Sequence, residues 1–129
     1  MASVGKTKNR KNKNLLGSIK VASVGILYVI KKEIKIQYAF LITIAVIIMA
    51  IVTNVSTIEW IILIMLCGTV ISLEMINTAL EDTVDMAMPN IHPLAKLAKD
   101  ISAGAVFLFC ITSAIIGFII FLPKIIEWF

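Results

Sequence analysis

Long stretches of this 129-residue chain hold no charge at all. Charged residues make up 16% of it and apolar ones 60%, well beyond the usual half. Such a composition cannot wrap a core in a polar shell, which excludes an ordinary soluble domain and predicts one domain embedded in a membrane. Without water around the backbone, helices are the spanning elements to expect. Cysteine is nearly absent: Cys67 and Cys110 each stand inside an apolar run, without CxxC spacing, and read as small buried hydrophobes with no disulfide implied. Nine of the twelve Lys and Arg residues fall between Lys6 and Lys35, yet Tyr28 is the one aromatic residue among them. A basic segment so poor in stacking side chains argues against a nucleic-acid partner and for anionic lipid headgroups. The GKT at Gly5–Thr7 lacks the leading glycine of GxxxxGK[ST] and follows no strand, so no phosphate-binding loop is expected there.

What is present follows a simple order. Residues 1–14, rich in Lys and Asn and without apolar periodicity, are expected to form a flexible basic tail over acidic headgroups. A signal peptide is not expected, because the next apolar stretch is interrupted by Lys20 and closed by Lys31 and Lys32. Over residues 15–32, Leu15, Leu16, Ile19, Ala22, Ile26, Leu27 and Ile30 recur at roughly helical spacing, which predicts an amphipathic helix lying in the interface. Three spans are predicted over about 36–53, 58–85 and 94–123. Tyr38 and Trp60 read as interfacial anchors, and the Thr53–Glu59 turn between them has no Lys or Arg. Met86–Pro93, with two prolines, reads as a loop. The last helix is expected to open at Leu94 and run apolar from Ile101 to Leu122, with Pro123, Lys124, Glu127 and Trp128 closing it at the opposite face. Its small residues, among them Ser102, Ala103, Gly104, Ala105, Ser113, Ala114 and Gly117, predict close helix packing within or between chains. The fold class is therefore all-α, an interfacial helix plus three transmembrane helices within one domain over 15–129. The placement of the lysines puts the N-terminus in the cytoplasm and the C-terminus outside.

Charge returns in LEMINTALEDTVD, Leu73–Asp85, and LAKLAKD, Leu94–Asp100. Glu74, Asn77, Glu81 and Asp85 step by three, four and four residues, so on a helix they line one stripe. Trp60 to Glu74 spans about 21 Å and Trp60 to Asp85 about 37 Å, against a hydrocarbon core of about 30 Å. Glu74 should lie just inside the far boundary, with Glu81 and Asp85 in the headgroup layer. Each ionisable group at a helix centre costs on the order of 2.5 to 3.5 kcal/mol, so the stripe needs a reason. Binding Mg²⁺ is one, since that ion takes one or two carboxylates and completes its shell with water and phosphate. Taken singly, Asp82 and Asp85 read equally as a solvated helix end.

A lipid hydroxyl attacking a soluble phosphoryl donor would use such a set: a carboxylate near the headgroup plane, a divalent ion and a cation. Glu74 has the depth for the first, Glu81 and Glu33 could hold the metal, and Lys99 could meet phosphate. From the residues alone, Glu33 between Lys32 and Lys35 also reads as an ordinary exposed ion-pair partner, and His92 as a loop or capping residue. An ion-conducting bundle is the second class, although its carboxylates would be nearer the midplane and shared between spans. A bare scaffold would leave the stripe unexplained.

LEMINTALEDTVD followed by HPLAKLAKDISAGAV resembles the signature of the small bacterial membrane lipid kinases, the diacylglycerol kinase and undecaprenol kinase family. The resemblance runs from about Leu15 onward and is strongest between Glu74 and Val106. It implies transfer of the γ-phosphoryl group of ATP to a membrane lipid alcohol, Mg²⁺ as cofactor, and a homotrimer in the bacterial cell membrane with sites shared between chains. Carried onto this sequence, it implies that Glu74 is the general base and that Glu33 and Glu81 bind metal. Asn77 and Asp85 support them, and Asn90, Ile91, His92, Lys99 and Asp100 meet the nucleotide. NTALE and HPLAKLAKD are similar to the Gram-positive branch, which implies undecaprenol as acceptor, with diacylglycerol as the alternative.

Overall fold

The computed structural model describes residues 14–129, and among them every regular element is an α-helix. The basic tail expected over 1–14 lies, apart from Asn14, outside the described residues. Helix α1, Leu15–Lys32, opens on Asn14, whose Oδ1 accepts from the Gly17 N–H at 2.8 Å, and buries none of its residues. Near its end Lys32 Nζ donates to the Tyr28 hydroxyl at 3.0 Å.

Residues 33–129 form a compact unit of three long helices, α2 (Ile34–Thr53), α3 (Thr57–Ala87) and α4 (Pro93–Ile126). Each is long and apolar enough to cross a membrane. Side chains such as Ile42, Ile64, Phe107 and Phe118 stand more than half exposed. A water-soluble surface would not tolerate so continuous an apolar exterior, whereas acyl chains or a second protein surface would cover it.

The turns are set by local chemistry. Asn54 ends α2 in the left-handed conformation, φ 55°, and brings its own N–H to the Ile51 carbonyl and the Val55 N–H to the Ala50 carbonyl, both at 3.2 Å. Asparagine tolerates that backbone because its short amide bonds locally. Two residues later a capping box starts α3: Ser56 Oγ accepts from the Glu59 N–H at 3.2 Å, and Glu59 Oε1 accepts from the Ser56 N–H at 3.1 Å. The turn is thus only Asn54–Ser56, shorter than the sequence suggests. Ser56→Ala is expected to cost about 1 kcal/mol. A titration with denaturing detergent should find the variant unfolding earlier than the parent, and coincident curves would mean the cap contributes nothing.

Helices α3 and α4 run antiparallel, tied at one end by Lys124 and Glu59, 3.2 Å apart, and at the other by Lys99 and Asp85, 2.8 Å apart. Near the Asn54–Ser56 turn Ala50, Val55, Leu63, Ile120 and Phe121 form the buried core, with Trp60 packed against it. Helix α4 continues through Pro123 to Ile126 and so ends among the residues expected to close it. Proline removes one N–H, and this close to the helix end a single lost bond does not stop the last turn, where the Glu127 N–H still reaches the Pro123 carbonyl at 3.2 Å. Of the two kinds of close packing expected of the α4 small residues, the glycines do not show the one within the chain, since a Cβ at Gly104 or Gly117 would meet nothing within 4 Å.

Candidate active site

The stripe expected on α3 exists as one helix face. Asn77 is 3% and Thr78 6% exposed, while Glu74 and Glu81 are half-buried beside them. Asn77 Nδ2 donates to Glu81 Oε1 at 3.2 Å, which fixes the amide with its oxygen turned the other way. That oxygen, Asn77 Oδ1, and Glu74 Oε2 are both buried without a hydrogen-bond partner among the described residues. Leaving a buried acceptor unmatched costs about 1 to 3 kcal/mol. Two of them on one stripe ask for a hydroxyl donor or a cation.

Glu33 stands in extended backbone, φ −100°, ψ 113°, at the start of α2, and its side chain caps nothing. Two residues on, Lys35 lines the same groove as Glu74, so the start of α2 and the Glu74 turn of α3 lie at one end of that groove. Among the described residues no three His, Cys, Asp or Glu side chains converge into a self-sufficient metal site. For Mg²⁺ that is not a bar, because two carboxylates plus phosphate oxygens and water make its usual shell. Glu33 and Glu81, with the free Asn77 oxygen between Glu81 and Glu74 in sequence, fit that demand.

Two cavities flank the stripe. A groove of about 690 Å³ runs along α2, α3 and α4 from Lys35 and Glu74 at one end to Met49, Leu63 and Ile125 at the other, walled almost wholly by apolar side chains. On α2 its lining extends from Lys35 to Met49, about 21 Å of helix. A second cavity of about 440 Å³ lies under the loop between α3 and α4, lined by Asp85, Asn90, Ile91, His92, Lys96, Lys99 and Asp100 among others. Here Lys99 Nζ donates to Asp85 Oδ1 at 2.8 Å and Lys96 Nζ to Asp100 Oδ2 at 2.7 Å. His92 caps α4, its Nδ1 accepting from the Leu94 N–H at 3.1 Å, with Pro93 in the first helical position. Asn90 and Ile91 are exposed.

The family model described as prokaryotic diacylglycerol kinase matches residues 20–121. The chain belongs to this family. It is 45% identical over 104 residues to the undecaprenol kinase of Bacillus subtilis, covering 81% of this chain and 85% of that one. The diacylglycerol kinase of Synechocystis is 35% identical over 115 residues, 88% of this chain and 66% of its own. That of Pseudomonas aeruginosa is 30% identical over 95 residues, 74% and 77% respectively. The protein is a membrane lipid kinase, and all ten site residues singled out above fall within the matched segment.

Lys35 was not among the residues the sequence singled out. It lines the same groove as Glu74. The signal was a lysine one position into an otherwise uncharged span, which sequence reading absorbs as part of the basic flank.

Proposed function

We propose that this kinase transfers the γ-phosphoryl group of ATP to undecaprenol, with Glu74 as general base, in the presence of Mg²⁺. The observation that carries this reading is the buried, unpartnered Oε2 of Glu74 at the polar end of an apolar groove. A lipid alcohol whose tail follows the groove presents there the one thing Glu74 lacks, an O–H donor. Glu74 takes that proton as the lipid oxygen bonds to the γ-phosphorus; the bond from phosphorus to the ADP oxygen breaks, and the proton later leaves to solvent. Glu33 and Glu81 hold the metal, and Asn77 orients Glu81 through its 3.2 Å hydrogen bond. When bound, Mg²⁺ supplies neutralisation of the phosphate oxygens of the nucleotide. Lys99 and Asp100, with Asn90, Ile91 and His92, receive the nucleotide in the loop cavity, and Asp85 holds the Lys99 ammonium in place until phosphate competes for it.

The same reading sets α1 in the interface, the N-terminus in the cytoplasm and the C-terminus outside, and makes the enzyme a homotrimer with sites shared between chains. Three helices with this much uncovered apolar surface, and glycines on α4 with room beside them, support an assembly of several copies.

Undecaprenol is favoured over diacylglycerol by the greater identity to the Bacillus subtilis relative. The deciding experiment offers purified protein both lipids in mixed micelles with γ-labelled ATP. Faster labelling of undecaprenol is expected. Preferential labelling of diacylglycerol would reverse the acceptor assignment, and labelling of neither would remove the reading.

A further inference from the structure

Among the described residues that line the apolar groove, two carry charge: Glu74 and Lys35. They lie at the same end, Lys35 in the first turn of α2 and Glu74 on α3. We propose that Lys35 is the acceptor-side cation of the reaction, the group that meets the phosphate as it is built on the lipid hydroxyl. The inference rests on the lipid kinase reading with Glu74 as base.

The acceptor enters as a neutral alcohol and leaves as a phosphate monoester, which carries about −1.5 to −2 charges near neutral pH. That charge appears at the end of an apolar-walled groove, where an unpaired anion is costly. The other cations of the site are committed elsewhere. Lys99 and Lys96 line the loop cavity instead of the groove, and they are paired with Asp85 and Asp100. Donor and acceptor thus each have a lysine of their own. An ammonium on a flexible four-carbon stem can follow the oxygen from hydroxyl to phosphate, offering three donors as it does so.

The competing role is an anchor: a lysine at the end of a span that merely reaches up to anionic headgroups. An anchor affects insertion but has no reason to discriminate between the two substrates. Lys35→Gln and Lys35→Arg, in the full chain, should therefore be assayed with whichever of undecaprenol or dioleoylglycerol the parent phosphorylates faster. The readouts are kcat and KM for the lipid, KM for ATP, and inhibition by the phosphorylated lipid.

In Lys35→Gln, kcat/KM for the lipid should fall about tenfold, the loss of one charge-assisted contact. Product inhibition should weaken by a similar factor while KM for ATP stays at the parent value, and Lys35→Arg should recover most of the loss. Parental lipid kinetics in Lys35→Gln would overturn the assignment. So would an Arg variant as impaired as the Gln variant, or a loss shared equally with KM for ATP. The two layers separate cleanly: an active Glu74→Gln removes the base, whereas an inactive Glu74→Gln beside an unaffected Lys35→Gln removes only this inference.

Discussion

Glu74→Gln is expected to lower kcat by about 10²- to 10⁴-fold, the usual contribution of a positioned general base. Glutamine keeps the length and the planar end of the side chain, so the lipid tail still finds its groove and the nucleotide its cavity. What disappears is the capacity to take the hydroxyl proton. The exchange also risks placing an amide N–H₂ where Oε2 is now buried, and an unmatched donor there would cost about 1 to 3 kcal/mol. ATP binding and detergent resistance must be measured alongside kcat for that reason. Glu74→Asp gives the complementary result: the base survives but is withdrawn by one methylene, and a displacement on the order of 1 Å at a reacting group can itself cost about 10²-fold. A Gln variant that binds ATP normally and turns over within a few-fold of the parent would leave the proton to another group.

The stripe was legible before the structure because it needs only helical periodicity. Glu74, Asn77, Glu81 and Asp85 fall on one face of any uninterrupted α3, and α3 is uninterrupted because Leu73–Asp85 contains neither glycine nor proline. The number of spans was legible for the same local reason. Contacts between helices were not. That Lys99 chooses Asp85, fourteen residues back on another helix, depends on how far α3 extends and how α4 turns under it. Lys124 choosing Glu59 depends on α4 continuing through Pro123 to Ile126, which holds Lys124 in the last turn. His92 shows the two levels meeting. Its capping role follows from the His-Pro pair beginning a helix, whereas its place in the loop cavity follows only from the fold.

The second large loss is expected at Glu81. With glutamine there, the Mg²⁺ concentration needed for half-maximal activity should rise by about 100-fold, because a neutral amide replaces an anionic oxygen ligand. Asn77→Ala should raise it by about 10-fold, since it removes the hydrogen bond that holds Glu81 Oε1 together with the unpartnered Asn77 oxygen beside it. The order of these two effects is the informative part. A ligand and the group that orients it must both move the metal curve, the ligand further, and neither should move KM for the lipid in proportion. Glu33→Gln belongs with Glu81→Gln if both carboxylates share the ion, and with the parent if Glu33 is no more than the solvated end of α2. Chelation by EDTA should bring the parent enzyme to background, with activity restored by added Mg²⁺. Superimposable Mg²⁺ titrations for parent and Glu81→Gln would take the metal away from this stripe and leave the Asn77–Glu81 hydrogen bond as a device for keeping a polar helix face ordered at the membrane boundary.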